Sequence, residues 1–190
     1  DADGLAEFVA LVGESVPEMP VYFYHIPVLT GVNMPMIGFM EKISGMLPNF
    51  TGIKFTHEDL MDFTSCVNYR NGTYDMLWGR DECMLAAFAL GCRGVVGSTY
   101  NYAAPLYHAL IRAFDEGNLG EAQKLQQMSI DMIALLDKYV GMATGKAYMK
   151  LVGMDCGKFR SPVRNMTDKM FEDFVKDVDH LGISHLFSQK

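Results

Sequence analysis

Short apolar runs alternate with stretches of helical periodicity along the first half of the chain. The runs lie at 21–26, 51–55, 74–78 and 94–97, and the stretches between them place apolar residues every three or four positions. Strands that alternate with helices through short links form right-handed βαβ units. The pattern predicts an α/β fold with a parallel sheet, in which the aromatic run at 21–26 is a buried strand that ends at Pro27.

Predicted helices flank these four strands. Helical spacing of four apolar residues predicts an amphipathic helix over residues 3–15: Leu5, Phe8, Val9 and Val12. After the fourth strand the pattern is helical throughout, with predicted helices over 103–116, 118–140, 144–153 and 167–181. One of these completes the last βα unit, and the others form a helical extension.

Composition narrows the class of protein. The chain has 190 residues, 49% of them apolar, and a formal charge of −7. Phosphate binding requires a basic surface, which argues against nucleic acid as a partner. No apolar run approaches the roughly 20 residues that a membrane helix needs. The four cysteines and five histidines have no metal-ligand spacing, so we predict no metal site. The cysteines are expected to be free thiols, as in the reducing cytosol, so we predict a cytoplasmic location.

Lys54 carries most of the functional prediction. It lies near the end of the second strand, within Gly52–Thr56. Lysine is seldom buried, because desolvation penalises its charged form. A buried lysine is more often the free amine, which can attack a carbonyl and form a Schiff base. A solvated lysine at a strand end is the alternative, and the strand by itself leaves it open.

Four residues stand where a predicted strand passes into its loop: Tyr24, Lys54, Gly79 and Ser98. In parallel α/β folds the carboxyl-terminal ends of the strands lie along one edge, and functional sites form there. The sequence therefore predicts that these residues share one candidate site.

Four segments together resemble the N-acetylneuraminate lyase (sialic acid aldolase) family, within the dihydrodipicolinate synthase group of class I aldolases: 22–32, 52–56, 79–82 and 97–102. The resemblance implies a (β/α)8 TIM barrel with a C-terminal helical extension, assembled as a homotetramer. This chain would supply strands five to eight in residues 1–116 and the extension in residues 117–190. Since a whole barrel needs about 250 residues, we expect the chain to be truncated.

The same resemblance implies the chemistry. Lys54 would form an imine with pyruvate or with open-chain sialic acid, and Tyr24 would carry a proton to and from the substrate. The protein would be a lyase that cleaves N-acetylneuraminate to N-acetylmannosamine and pyruvate without a cofactor. An inward tyrosine with a satisfied hydroxyl group is the structural alternative for Tyr24.

The substrate-binding residues implied by the resemblance are Thr56, Gly79, Asp81, Glu82 and Ser98. Local structure offers an alternative for each of them. Thr56 could open a capping box with the acid three residues later, and the two acids could favour a helix N-terminus. Gly79 could serve only a turn, and Ser98 could cap the next helix.

Two other functions stay open at this point. One is another pyruvate-dependent aldolase of the group, such as a 2-keto-3-deoxy sugar acid aldolase or a dihydrodipicolinate synthase. The synthases generally carry an arginine just before the Thr-Gly pair of the tyrosine strand, where this chain has Val28 and Leu29. That difference favours the sialic acid enzymes. The other function is a non-catalytic truncated product.

Overall fold

Four parallel strands form one sheet, as the computed structural model of the protein describes for residues 1–189. The strands follow one another in the sheet in chain order: β1 Val21–His25, β2 Phe50–Phe55, β3 Asp75–Trp78 and β4 Gly94–Val95. Each pair of neighbours is parallel. The predicted α/β class and parallel sheet are therefore confirmed.

Nine α-helices connect and follow the strands in the described part of the chain. They are α1 Ala2–Glu14, α2 Pro27–Thr30, α3 Met36–Met46, α4 Leu60–Asn68, α5 Met84–Ala89, α6 Tyr100–Asp115, α7 Leu119–Lys138, α8 Met142–Leu151 and α9 Asp168–Leu181. Short 3-10 helices span Tyr69–Gly72, Asp81–Cys83 and Ser184–Leu186. The last four α-helices confirm the predicted helical second half. Within residues 1–189, no helix is both long and apolar enough to cross a membrane.

The chain forms two compact units. The first comprises Asp1–Arg80 and Ala86–Val96, and it contains the whole sheet. The second comprises Asp81–Leu85 and the chain from Gly97 onwards, and it contains α6 to α9. The predicted boundary, with half of a barrel in residues 1–116 and a helical extension in residues 117–190, stays a prediction.

An aromatic layer forms the core of the first unit. Phe55 and Trp78 project from one face of the sheet, and both are almost fully buried. Phe63 of α4 packs on this layer, with its ring centroid 4.8 Å from Trp78, and Phe39 of α3 packs 4.9 Å from Phe23. Because strand side chains alternate between faces, the opposite face carries a different set: Tyr22, Tyr24, Lys54 and Leu77.

Two predictions of burial are wrong. In β1 the burial alternates, with Tyr22 39% and Tyr24 45% exposed, because successive side chains of a strand point to opposite faces and the face that carries these two tyrosines is open to solvent. In α1, Phe8 and Val12 are exposed, and the buried face consists of small residues: Ala6, Val9, Ala10 and Gly13. A Cβ on Gly13 would lie 2.5 Å from Leu47. Close packing therefore selects the small residues of α1, which hydrophobic spacing does not reveal.

Gly52 permits the close pairing of β2 with β3. A Cβ at this position would lie 1.8 Å from the backbone oxygen of Asp75, so any side chain would separate the two strands. The Tyr22 hydroxyl group donates to Asp75 Oδ2 at 2.9 Å, and both residues lie opposite Gly52 in the ladders on either side of it. Tyr22 and Gly52 lie two residues before Tyr24 and Lys54 on their strands, and so on the same face of the sheet.

Candidate active site

Lys54 and Tyr24 lie side by side on neighbouring strands. The register of β1 and β2 sets the two residues directly opposite each other. Lys54 Nζ lies 4.0 Å from the centroid of the Tyr24 ring, within the range of a cation–π interaction. The structure thus brings these two predicted site residues together. Lys54 is partly buried, and Tyr24 beside it is exposed, so the predicted burial of the amine is only partial.

Thr56 and Gly79 lie next to this pair. The Gly79 amide donates to the Phe55 carbonyl group at 2.9 Å, which continues the β2–β3 ladder into the loops. A Cβ on Gly79 would lie 1.9 Å from Thr56 Oγ1 and 3.4 Å from Lys54 Cε. Glycine is therefore required for this approach, and the structure brings Tyr24, Lys54, Thr56 and Gly79 together.

Thr56 does not cap a helix. The N-cap of α4 is Asp59, whose side chain accepts a hydrogen bond from the Asp62 amide at 3.0 Å. The predicted capping box is therefore wrong, because α4 begins one turn later than expected. Thr56 Oγ1 is buried and makes no hydrogen bond within the described residues. A buried hydroxyl group without a partner is costly and often marks a place where a ligand or water binds.

A buried histidine, His25, lies next to Tyr24 on the same strand and was not among the predicted site residues. His25 is 1% exposed, and its ring lies 5.5 Å from that of His57 in an edge-on arrangement. Burial and the charge of His57 lower the pKa of His25 to about 4, although Asp59 opposes the change. The alternation of side chains could have revealed this position, because His25 directly follows the outward Tyr24. No cluster of three or more potential metal ligands occurs in residues 1–189.

His25 should make the protein less stable in mild acid. Its folded-state pKa of about 4 is below the ordinary 6.5, so the unfolded chain binds the proton more readily. The free energy of unfolding therefore keeps its full value above pH 6.5 and decreases by about 3 kcal/mol as the pH falls towards 4. Urea unfolding at several pH values measures it. The loss should shrink in His25→Phe and persist in the control His185→Gln, at an exposed histidine. Equal pH dependence in both variants would contradict this assignment.

Asp81 is a buried carboxylate in the second unit. It is 5% exposed, and Oδ2 accepts hydrogen bonds from the Thr99 amide at 3.0 Å and from Thr99 Oγ1 at 2.5 Å. Oδ1 is buried without a hydrogen-bond partner among the described residues, and a Cβ on Gly97 would lie 1.6 Å from it. Burial raises the pKa of Asp81, Glu82 adds to the rise, and the donors of Thr99 and the nearby Tyr100 hydroxyl group oppose it.

Glu82 and Ser98 also belong to the second unit. Glu82 is partly exposed and lies with Asp81 in the 3-10 helix Asp81–Cys83, so neither acid lies in the first turn of an α-helix. Ser98 is exposed, and the N-cap of α6 is Thr99, so the alternative that Ser98 caps this helix is wrong. The predicted site residues thus form two groups: four around Lys54 in the first unit and three near Asp81 in the second.

The protein is an α/β protein with a parallel sheet. Its lysine and tyrosine lie side by side near the carboxyl-terminal ends of the strands, which is where parallel α/β proteins form their functional sites. Within that class, the chain belongs to the dihydrodipicolinate synthetase family, whose model matches residues 2–181.

Relatives of this chain include lyases. N-acetylneuraminate lyase A of Xenopus laevis is 38% identical over an alignment that covers 92% of this chain and 57% of that protein. N-acetylneuraminate lyase of Homo sapiens is 35% identical over an alignment that covers 97% of this chain and 59% of that protein. The solved structure of Proteus mirabilis N-acetylneuraminate lyase has a TM-score of 0.91 at 35% identity and covers 95% of this chain and 61% of that one. The chain thus spans little more than half the length of these relatives.

Proposed function

We propose that the protein acts as a class I aldolase that cleaves N-acetylneuraminate to N-acetylmannosamine and pyruvate. The observation that carries the proposal is the contact between Lys54 Nζ and the Tyr24 ring at 4.0 Å. Family membership and relatives named N-acetylneuraminate lyase support it. In this proposal β1 to β4 are strands five to eight of a (β/α)8 barrel, residues 1–116 form that half of the barrel and residues 117–190 form the helical extension.

The proposed reaction starts at Lys54. Its amine attacks the C2 carbonyl group of the open-chain substrate, water leaves, and a protonated imine forms. The phenol oxygen of Tyr24 takes the proton of the C4 hydroxyl group while its own proton passes to the substrate carboxylate. The electrons of the C3–C4 bond move into the imine, which yields an enamine and the aldehyde N-acetylmannosamine. Protonation of the enamine at C3 and addition of water then release pyruvate and free Lys54.

The remaining residues would bind the substrate. Thr56 offers a buried hydroxyl group without a partner, and Gly79 leaves room beside it. For the hydroxyl groups of the sugar chain we propose Asp81 and Glu82 as acceptors and Ser98 as a further hydrogen-bonding group. The unpartnered Oδ1 of Asp81 supports this assignment.

A second candidate is another pyruvate-dependent aldolase of the same family, because the family that matches this chain takes its name from dihydrodipicolinate synthetase. Both reactions use the same imine at Lys54, so trapping it with pyruvate does not separate them. The group that reacts with the enamine is a sugar aldehyde in one case and a shorter aldehyde in the other.

Pyruvate release from competing substrates tests the proposal. We would assay this chain, and in parallel a longer protein that carries it, with N-acetylneuraminate and with 2-keto-3-deoxygluconate. We expect kcat/KM to be at least about tenfold higher for N-acetylneuraminate, since contacts with the sugar hydroxyl groups distinguish the two. A preference for the deoxy sugar acid would favour the second candidate. If neither substrate nor pyruvate reacts in the longer protein, the aldolase proposal is wrong.

A further inference from the structure

A continuous chain of buried hydrogen bonds ends on Asp81 in the second unit. Thr99 Oγ1 contacts Asp81 Oδ2, Tyr107 OH lies 2.6 Å from Thr99 Oγ1, and Ser129 Oγ lies 2.8 Å from Tyr107 OH. Thr99, Tyr107 and Ser129 are all at most 3% exposed. We propose that Tyr107 and Ser129 are positioning residues that hold the Asp81 carboxylate in its ionised form for a ligand rich in hydroxyl groups, an inference that rests on the function proposed above.

The direction of every proton in this chain follows from chemistry. An ionised carboxylate only accepts hydrogen bonds, so the Thr99 hydroxyl group donates its single proton to Asp81 Oδ2. Thr99 Oγ1 must then accept from Tyr107, whose single phenol proton is thereby used. Tyr107 in turn accepts from Ser129. The three hydroxyl dipoles therefore all point towards Asp81, and each bond strengthens the next.

This arrangement opposes the effect of burial. Burial raises the pKa of Asp81, and the charge of Glu82 on the same 3-10 helix adds to the rise. The titratable groups that face the carboxylate from α6 are Tyr100, Tyr102 and Tyr107. The Tyr100 hydroxyl group stabilises the charge of the carboxylate directly, and Tyr107 does so through the Thr99 hydroxyl group.

Helix α7 fixes Asp81 at its backbone as well. Gln126 Nε2 donates to the Asp81 carbonyl group at 3.2 Å, and Gln126 Oε1 accepts from the Leu85 amide at 2.8 Å. Ser129 lies about one turn further along the same helix. One helix thus holds both the main chain and, through Tyr107 and Thr99, the side chain of Asp81. Oδ1 is then the carboxylate oxygen that a ligand hydroxyl group could use, because the described residues give it no donor.

Tyr107→Phe removes the phenol from the chain and keeps the ring. The edge-on packing of this ring on Tyr100, at 4.4 Å between centroids, should survive. The Thr99 hydroxyl group then accepts no hydrogen bond from residue 107, so its own hydrogen bond to the Asp81 carboxylate becomes weaker. The ionised carboxylate is stabilised less, and the pKa of Asp81 should rise. In a longer protein that carries this sequence, we expect KM for N-acetylneuraminate to rise about fivefold, the effect of losing one hydrogen bond between neutral hydroxyl groups. kcat should change less than about twofold.

Tyr102→Phe is the matched control. Tyr102 lies on the same helix, is 2% exposed, and its hydroxyl group makes no hydrogen bond among the described residues. This variant therefore deletes an equally buried phenol oxygen without interrupting the chain that ends on Asp81. We expect its KM and the pKa of Asp81 to match those of the unmodified protein. Ser129→Ala should give a smaller change in the direction of Tyr107→Phe, and the double variant should be no worse than Tyr107→Phe alone.

NMR titration of the Asp81 carboxyl carbon gives a readout independent of catalysis. A higher pKa in Tyr107→Phe than in Tyr102→Phe supports the proposal, and equal values overturn it. If Tyr107→Phe does not fold, Ser129→Ala against Tyr102→Phe decides in the same way. A raised pKa with unchanged KM overturns the link to the ligand. Absence of a pyruvate imine in the unmodified longer protein overturns the proposed function instead, and the titration still tests the hydrogen-bond chain.

Discussion

Lys54→Arg should abolish covalent capture of pyruvate. Borohydride reduction in the presence of pyruvate should attach one reduced pyruvate to the unmodified protein at Lys54 and none to the variant. Arginine keeps the positive charge over the Tyr24 ring, 4.0 Å from Lys54 Nζ in the structure, but its guanidinium stays protonated and forms no imine. Turnover should fall roughly 10⁴-fold or more, as when other enzymes lose their nucleophile. Peptide mass spectrometry and initial rates measure the two effects.

Lys124→Arg is the control for this experiment. Lys124 is an exposed lysine on α7 that pairs with Glu121. We expect this variant to keep both the adduct at Lys54 and full turnover. An adduct that persists in Lys54→Arg, or that forms at another lysine of the unmodified protein, would show that Lys54 is not the nucleophile. Both measurements belong in a longer protein that carries this sequence, because the chain spans little more than half the length of its relatives.

The sheet could be predicted because its signals are local. Each strand is a short run of residues bounded by turn residues, and parallel order follows from the helices between the strands. The pairing of Tyr24 with Lys54 was accessible for the same reason. Both residues stand at strand ends, and the carboxyl-terminal ends of neighbouring parallel strands lie along one edge.

Burial in α1 and the role of Thr56 could not be predicted, because each depends on a partner distant in the chain. The inward face of α1 consists of small residues, and Gly13 on that face lies close against the Leu47 side chain. The loop after β2 extends Thr56 towards Gly79 instead of starting a helix. Hydrophobic spacing and capping patterns describe one segment at a time and carry no information on such contacts.

The hydrogen-bond chain to Asp81 was hidden for a further reason. Thr99 is the N-cap of α6 and Tyr107 lies about two turns further along that helix, so their shared side could have been noticed. Ser129 comes from α7, and no local pattern brings it to the same point. The acids at 81 and 82 looked alike in the sequence. The structure separates them, because Asp81 is buried and Glu82 is partly exposed.

Tyr24→Phe should separate proton transfer from imine formation. The phenylalanine ring retains the face on which Lys54 Nζ lies, so trapping of pyruvate at Lys54 should continue. Cleavage of the C3–C4 bond requires the phenol oxygen to accept the C4 proton, and the variant has no such oxygen. We therefore expect kcat for N-acetylneuraminate to fall by about 10²–10⁴, measured as the rate of pyruvate release.

Tyr22→Phe provides the matched control for Tyr24→Phe. Tyr22 lies two residues earlier on the same strand and face, is similarly exposed, and donates its hydroxyl proton to Asp75. The substitution deletes a phenol oxygen beside Gly52, two residues before Lys54, where the proposed reaction transfers no proton. We expect turnover of Tyr22→Phe to stay within about threefold of the unmodified protein. If instead Tyr24→Phe keeps its turnover, or if both variants lose it equally, the proton must be carried by another group, and the lysine would remain the part of the mechanism that the trapping experiment tests by itself.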